Sequence, residues 1–147
     1  MKKSLSILAL SLLSAHALAA GSHAGGHDTP ADPARVGRTI DVIMDDTMRF
    51  TPSEIHVRAG ETIRFSVTNA GKIRHEMVIG SIAELKAHAV QMRKMPEMPH
   101  AEPNMITLEP GGAGALVWKF DQAGIVDFAC LIPGHTEAGM IGKVKVN

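Results

Sequence analysis

Between about residue 37 and residue 147, apolar residues recur at every second position in short runs, and each run ends at a turn-forming residue. Ile40, Val42 and Met44 alternate with polar residues, and Ile55 and Val57 do so before Ala59-Gly60. Ile63, Phe65 and Val67 precede Asn69-Ala70-Gly71. Later runs are Met105–Leu108, Ala115–Phe120, Ile125–Cys130 and Gly142–Val146. A period of two buries one face of a strand and leaves the other to solvent. Many such strands with frequent Gly and Asn turns predict an all-β chain folded as a β-sandwich. At 147 residues the chain is expected to hold one domain.

One segment follows a different period. Ser81-Ile82-Ala83-Glu84 reads as a capping box, and Ile82, Leu85, Ala89 and Met92 follow at helical spacing. Pro96 ends that pattern, and Pro99 and Pro103 keep the next stretch irregular. One helix over residues 82–94 is therefore predicted between strands, followed by a Met-rich loop to about residue 104.

The N-terminus has a different character. Lys2 and Lys3, the apolar run Leu5–Leu13 and the small residues Ala17-Leu18-Ala19 form a secretory signal pattern over residues 1–19. The run is too short to span a bilayer as a helix, so no membrane span is expected. Its bacterial style implies export to the periplasm. Residues 20–36 are rich in Gly, Ala, His and Pro without apolar periodicity, and are expected to form a flexible arm. The folded domain is expected over residues 37–147.

Fifteen basic residues balance fifteen acidic ones, and aromatic residues make up 3% of the chain. There is thus no clustered basic charge and little stacking surface for nucleic acid. The chain instead has nine Met, eight His and one Cys. Thioether, imidazole and thiolate are the soft and borderline donors that suit copper. The single Cys also forbids an intramolecular disulfide, although an exported compartment permits them.

The donors converge in Phe128-Ala129-Cys130-Leu131-Ile132-Pro133-Gly134-His135-Thr136-Glu137-Ala138-Gly139-Met140, spaced C-x4-H-x4-M. Pro133-Gly134 allows a tight turn that swings His135 back toward the Cys130 sulfur, and a turn at Gly139 brings Met140 underneath. Taken singly, a Cys or Met is usually core and a turn His is usually solvated. Together and in this order they describe most of a trigonal copper site of one Cys and two His with a weak axial Met. The second His is best supplied by His75, which follows a turn and opens the apolar strand His75-Glu76-Met77-Val78-Ile79-Gly80. Structural zinc sites usually carry at least two thiolates, so one Cys with a Met points to copper.

These residues resemble the cupredoxins of the plastocyanin and azurin superfamily, over about residues 37–147. Phe50-Thr51-Pro52-Ser53-Glu54-Ile55 and Gly60-Glu61-Thr62-Ile63-Arg64-Phe65 are similar to that family's early strands. The resemblance implies a Greek-key β-sandwich and one type 1 copper cycling between Cu(I) and Cu(II). It implies His75, Cys130 and His135 as equatorial ligands and Met140 as the axial one. Many relatives carry Asn after the first ligand His to brace the Cys loop, and this chain carries Glu76 there. The inserted helix, the Met-rich loop and the His-bearing arm resemble, more narrowly, the CopI-type periplasmic cupredoxins associated with copper tolerance.

Two further copper sites are suggested by composition. His88, Met92, Met95, Met98, His100 and Met105 form a thioether-rich segment suited to Cu(I). His23 and His27 lie in the arm. A start at Gly21 would make His23 the third residue of a square-planar Cu(II) chelate, whereas a start at Ala20 would spoil it. Met44-Asp45-Asp46-Thr47-Met48, two Met flanking two Asp, is a weaker candidate for copper, and a plain turn is the preferred reading. Copper handling is the preferred function, with copper ions as partner and a periplasmic copper-transport or redox protein as a further one. The alternative is an electron shuttle to a periplasmic redox protein. An enzyme, such as a Cu(I) oxidase, is disfavoured because four ligands leave no open position for substrate. The Ala17-x-Ala19 pattern leads us to expect Ala20 as the first residue on N-terminal sequencing of the exported protein; Gly21 there would restore the chelate.

Overall fold

The computed structural model describes residues 28–95 and 101–147. The proposed signal, most of the arm with His23 and His27, and the loop residues Met98 and His100 lie outside the described residues. In chain order the strands are β1 (Asp28–Pro30), β2 (Arg38–Asp45), β3 (Arg49–Thr51), β4 (Glu54–Val57), β5 (Glu61–Asn69) and β6 (His75–Gly80). After helix α1 (Ile82–Lys94) come β7 (Met105–Leu108), β8 (Ala113–Phe120), β9 (Gly124–Ala129) and β10 (Ile141–Val146).

They form two five-stranded sheets, ordered β1-β8-β5-β2-β3 and β4-β10-β9-β6-β7. Both are mixed. β2 runs parallel to β5, with Ile40 opposite Phe65, and β4 runs parallel to β10, with Ile55 opposite Val144. The other pairings are antiparallel. The alternating residues read from the sequence face inward: Val42, Met44, Ile63, Phe65, Val67 and Val144 are fully buried. Although aromatics are scarce, all four Phe are in the core. Phe50 meets Phe128 edge-on at 5.0 Å between ring centroids, and Phe65 meets Phe120 at 6.2 Å. This is the favoured geometry for aromatic quadrupoles.

α1 has the predicted bounds. Ser81 Oγ accepts from the Glu84 N–H, and the Glu84 carboxylate accepts from the Ser81 N–H at 2.8 Å, closing the capping box. Its buried face differs in part from the expected one. Leu85, His88 and Met92 point inward, whereas Ile82 is 57% exposed. The helix lies over β6 and β9, where Leu85 and Met92 pack with Val78, Met105, Ala129 and Leu131. β6 is therefore covered on both faces, and all six of its residues are buried. Double coverage also explains why His75-Glu76-Met77-Val78-Ile79-Gly80 lacks alternation.

The expected arm over residues 20–36 differs in its last part. Asp28–Pro30 pairs with β8, and Pro33–Arg35 forms a 3-10 turn capped by the Asp32 side chain. The signal for this strand is tertiary: β8 offers an open edge whose backbone groups need partners. Among the described residues no helix is long and apolar enough to cross a membrane.

β10 follows Met140 directly, so its seating fixes one end of the C-x4-H-x4-M loop. A Cβ at Gly142 would fall on the Phe128 ring and lie 2.8 Å from the Ser53 carbonyl oxygen. Phe128 is fully buried and cannot yield. Gly142→Ala is expected to cost about 1–3 kcal/mol through overpacking, read as a lower midpoint in chemical denaturation.

Candidate metal centre

The ends of both sheets meet at one place. β9 delivers Cys130 and β6 begins at His75; the two strands are antiparallel with Val78 opposite Ala129. β2 and β5 of the other sheet end beside them at Asp45 and Asn69. Cys130 is joined to Met140 by a backbone bond, Cys130 N–H to Met140 O at 3.1 Å, which closes the loop at its base.

Within that loop the His135 N–H donates to Ile132 O at 3.0 Å and the Met140 N–H donates to His135 O at 3.0 Å. Thr136 Oγ1 donates to Cys130 O at 2.6 Å. Gly134 and Gly139 take φ of +92° and +97°, which glycine adopts without the Cβ penalty. The two predicted turns are thus present, and they return His135 to Cys130, with Sγ to Nδ1 at 3.2 Å.

One ligand atom each from His75, Cys130 and His135 lie within 4.8 Å of one another. The two imidazoles are 5.0 Å apart between centroids, tilted by 55°. Cys130, His75 and Met140 are fully buried, and His135 is 9% exposed. Met140 packs in the same core cluster as Cys130. His75 Nδ1 is buried without a hydrogen-bond partner, while its Nε2 is 3.1 Å from Asp46 Oδ1. An acceptor nitrogen held out of water beside a thiol and a second imidazole fits a metal ion that completes it. One thiolate with two imidazoles is a donor set for copper.

The surroundings set the charge state. Burial pushes the Cys130 thiol up to about 12, and the Glu76 carboxylate adds to that rise. The Glu76 N–H, 3.5 Å from Sγ, opposes it. Burial also holds the His135 imidazole below its ordinary value, helped by nearby His75. Glu76 Oε1 accepts from the Leu131 N–H at 2.9 Å. The brace that Asn gives in many relatives is therefore made here by a buried carboxylate.

Of the accessory residues, Met92 and Met105 share the packed cluster under α1. His88, 6% exposed, has Nδ1 3.6 Å from Glu102 Oε2, and Met95 is 40% exposed. In the sequence Asp46 stands out only as part of the Met44–Met48 segment. Its segment is the turn expected, with the Thr47 N–H donating to Asp45 Oδ1 at 2.8 Å. Its contact with His75 spans 29 positions, and no local pattern signals it.

A two-sheet sandwich with a His, Cys, His triangle at one end is the architecture of a cupredoxin, and the chain belongs to the plastocyanin/azurin family of copper-binding proteins, whose family model matches residues 38–147. Within it the chain is a cupredoxin of the CopI type. It is 54% identical over 137 residues to the copper-resistant cuproprotein CopI of Rubrivivax gelatinosus, covering 90% of this chain and 81% of that one. It is 34% identical to the copper-resistant cuproprotein CopI of Pseudomonas aeruginosa, covering 92% and 90%. Among solved structures, auracyanin B superposes with a TM-score of 0.66 at 20% identity, over 84% of this chain and 96% of that one. Reduced auracyanin from Roseiflexus castenholzii gives 0.63 at 24% identity, over 76% and 98%.

With a thiol raised to about 12 and His135 depressed, the apo site at pH 7 holds a proton on sulfur and none on the His135 acceptor. Copper binding at pH 7 is expected to release the Cys130 proton. Calorimetry in buffers of different ionisation enthalpy measures it, and release of none would mean that sulfur is not a ligand. The raised thiol also makes apo stability fall as pH climbs from about 9 toward 12, because the unfolded chain loses that proton first.

Proposed function

We propose that this protein is a periplasmic copper-handling cupredoxin that holds one copper in a type 1 site and limits copper damage in that compartment. The observation that carries the proposal is the buried, unpartnered Nδ1 of His75, a residue whose ligand atom lies within 4.8 Å of those of Cys130 and His135. His75 and His135 would hold the ion through their imidazoles and Cys130 through its thiolate. Met140, buried in the same cluster as Cys130, would supply a thioether as the fourth ligand. Copper bound there supplies one-electron Cu(I)/Cu(II) chemistry. The relatives' names, copper-resistant cuproproteins, support copper tolerance as the role.

The alternative is an electron shuttle. His135 is the one residue of the triangle with measurable exposure, so a redox protein docking over it would meet the shortest route to the site. Such encounters are small and weak. Additional copper in the Met-rich segment would favour handling. Met92 and Met105 are committed to packing, so a second site that used them would have to open that cluster.

Titration of the mature protein with Cu(II), then Cu(I), is expected to give one intensely coloured equivalent that Cys130→Ser abolishes. Further colourless Cu(I), lost on replacing Met92, Met95 and Met98, would support handling; one equivalent and nothing more would support the shuttle. A deletion strain is expected to be more sensitive to copper. Unchanged sensitivity would sink the handling reading.

A further inference from the structure

Asp46 follows the last residue of β2 and reaches across to the start of β6. Its Oδ1 lies 3.1 Å from His75 Nε2, on the opposite side of the ring from the buried Nδ1. The same carboxylate gathers the turn before β6. Oδ2 accepts from the Lys72 N–H at 2.7 Å and Oδ1 from the Ile73 N–H at 3.4 Å. Asn69 completes the turn: its Nδ2 donates to Ile73 O at 2.8 Å and to Leu108 O at 3.0 Å, and its Oδ1 accepts from the Gly71 N–H at 2.9 Å.

The approach of the carboxylate depends on a missing side chain. A Cβ at Gly71 would fall on Asp46 Oδ1 and lie 2.8 Å from its Cγ. Asp46 and Gly71 therefore form a matched pair in which the glycine leaves room for the carboxylate to reach the imidazole.

We infer that Asp46 is the positioning residue of the His75 ligand: its carboxylate holds the proton on Nε2, presents Nδ1 to copper and shifts the site toward Cu(II). The inference rests on the copper-site reading above. A carboxylate that accepts from the far nitrogen of a ligating imidazole fixes its tautomer and raises its basicity. A more basic, partly anionic imidazole favours the harder Cu(II) over Cu(I).

The test compares wild type with Asp46→Ala, Asp46→Asn and Gly71→Ala. Cu(II) and Cu(I) dissociation constants, the reduction potential and 15N-imidazole spectra of the apo proteins are measured. Asp46→Ala is expected to weaken Cu(II) relative to Cu(I) by about tenfold or more. For one electron, tenfold is a rise of about 59 mV in potential. Its apo His75 loses the single Nε2–H tautomer of wild type. Asp46→Asn keeps an acceptor oxygen, so it is expected to keep the tautomer while shifting the affinity ratio less than Asp46→Ala. Gly71→Ala leaves Asp46 in the chain but displaces it, and is expected to act like Asp46→Ala.

An affinity ratio within twofold of wild type in both Asp46→Ala and Gly71→Ala overturns the inference, even if melting temperature falls, because Asp46 would then only tie down the turn. Absence of a coloured copper complex in wild type would overturn the copper-site reading instead. A mixed His75 tautomer in wild-type apo protein would overturn the inference by itself.

Discussion

The structure turns on a nitrogen that folding leaves without a partner. An unsatisfied buried acceptor such as His75 Nδ1 costs about 1–3 kcal/mol. The rest of the fold holds it there. β6 is buried on both faces and cannot rotate His75 outward. Asp46 engages the opposite ring nitrogen, and the Cys130–Met140 backbone bond closes the loop that faces it. A metal ion is the partner that such a rigid arrangement anticipates, and copper is the family's metal.

Two carboxylates flank this centre from different directions. Glu76 is buried beside the sulfur and anchors Leu131, and Asp46 sits at the solvent side of His75. The Glu76 carboxyl adds to the rise of the Cys130 thiol, while the Glu76 N–H opposes it. Burial of Cys130 works against charge on sulfur, as the raised thiol pKa records. The balance of these opposing effects sets the charge on the sulfur.

The inserted helix belongs to the same design. By covering β6 and β9 it buries the outer faces of the two strands that carry His75 and lead to Cys130. Its Met92 and the Met105 of β7 fill that interface as adaptable thioethers. A methionine-rich composition can therefore reflect packing at some positions and leave others, such as Met95, exposed.

Much of this was legible in the residues themselves. Strict alternation in β2, β4 and β5 marked the sandwich strands, the Ser81–Glu84 box and Pro96 bracketed the helix, and C-x4-H-x4-M announced the donor loop. Those signals are local: side-chain period, capping and turn chemistry act within a few residues, so the sequence determines them unaided. The pairing of Asp28–Pro30 with an open sheet edge, the exposure of Ile82, the bracing role of Glu76 and the reach of Asp46 to His75 were decided by tertiary structure. All but the exposure of Ile82 join segments distant in the chain, and only tertiary packing brings their atoms within bonding distance.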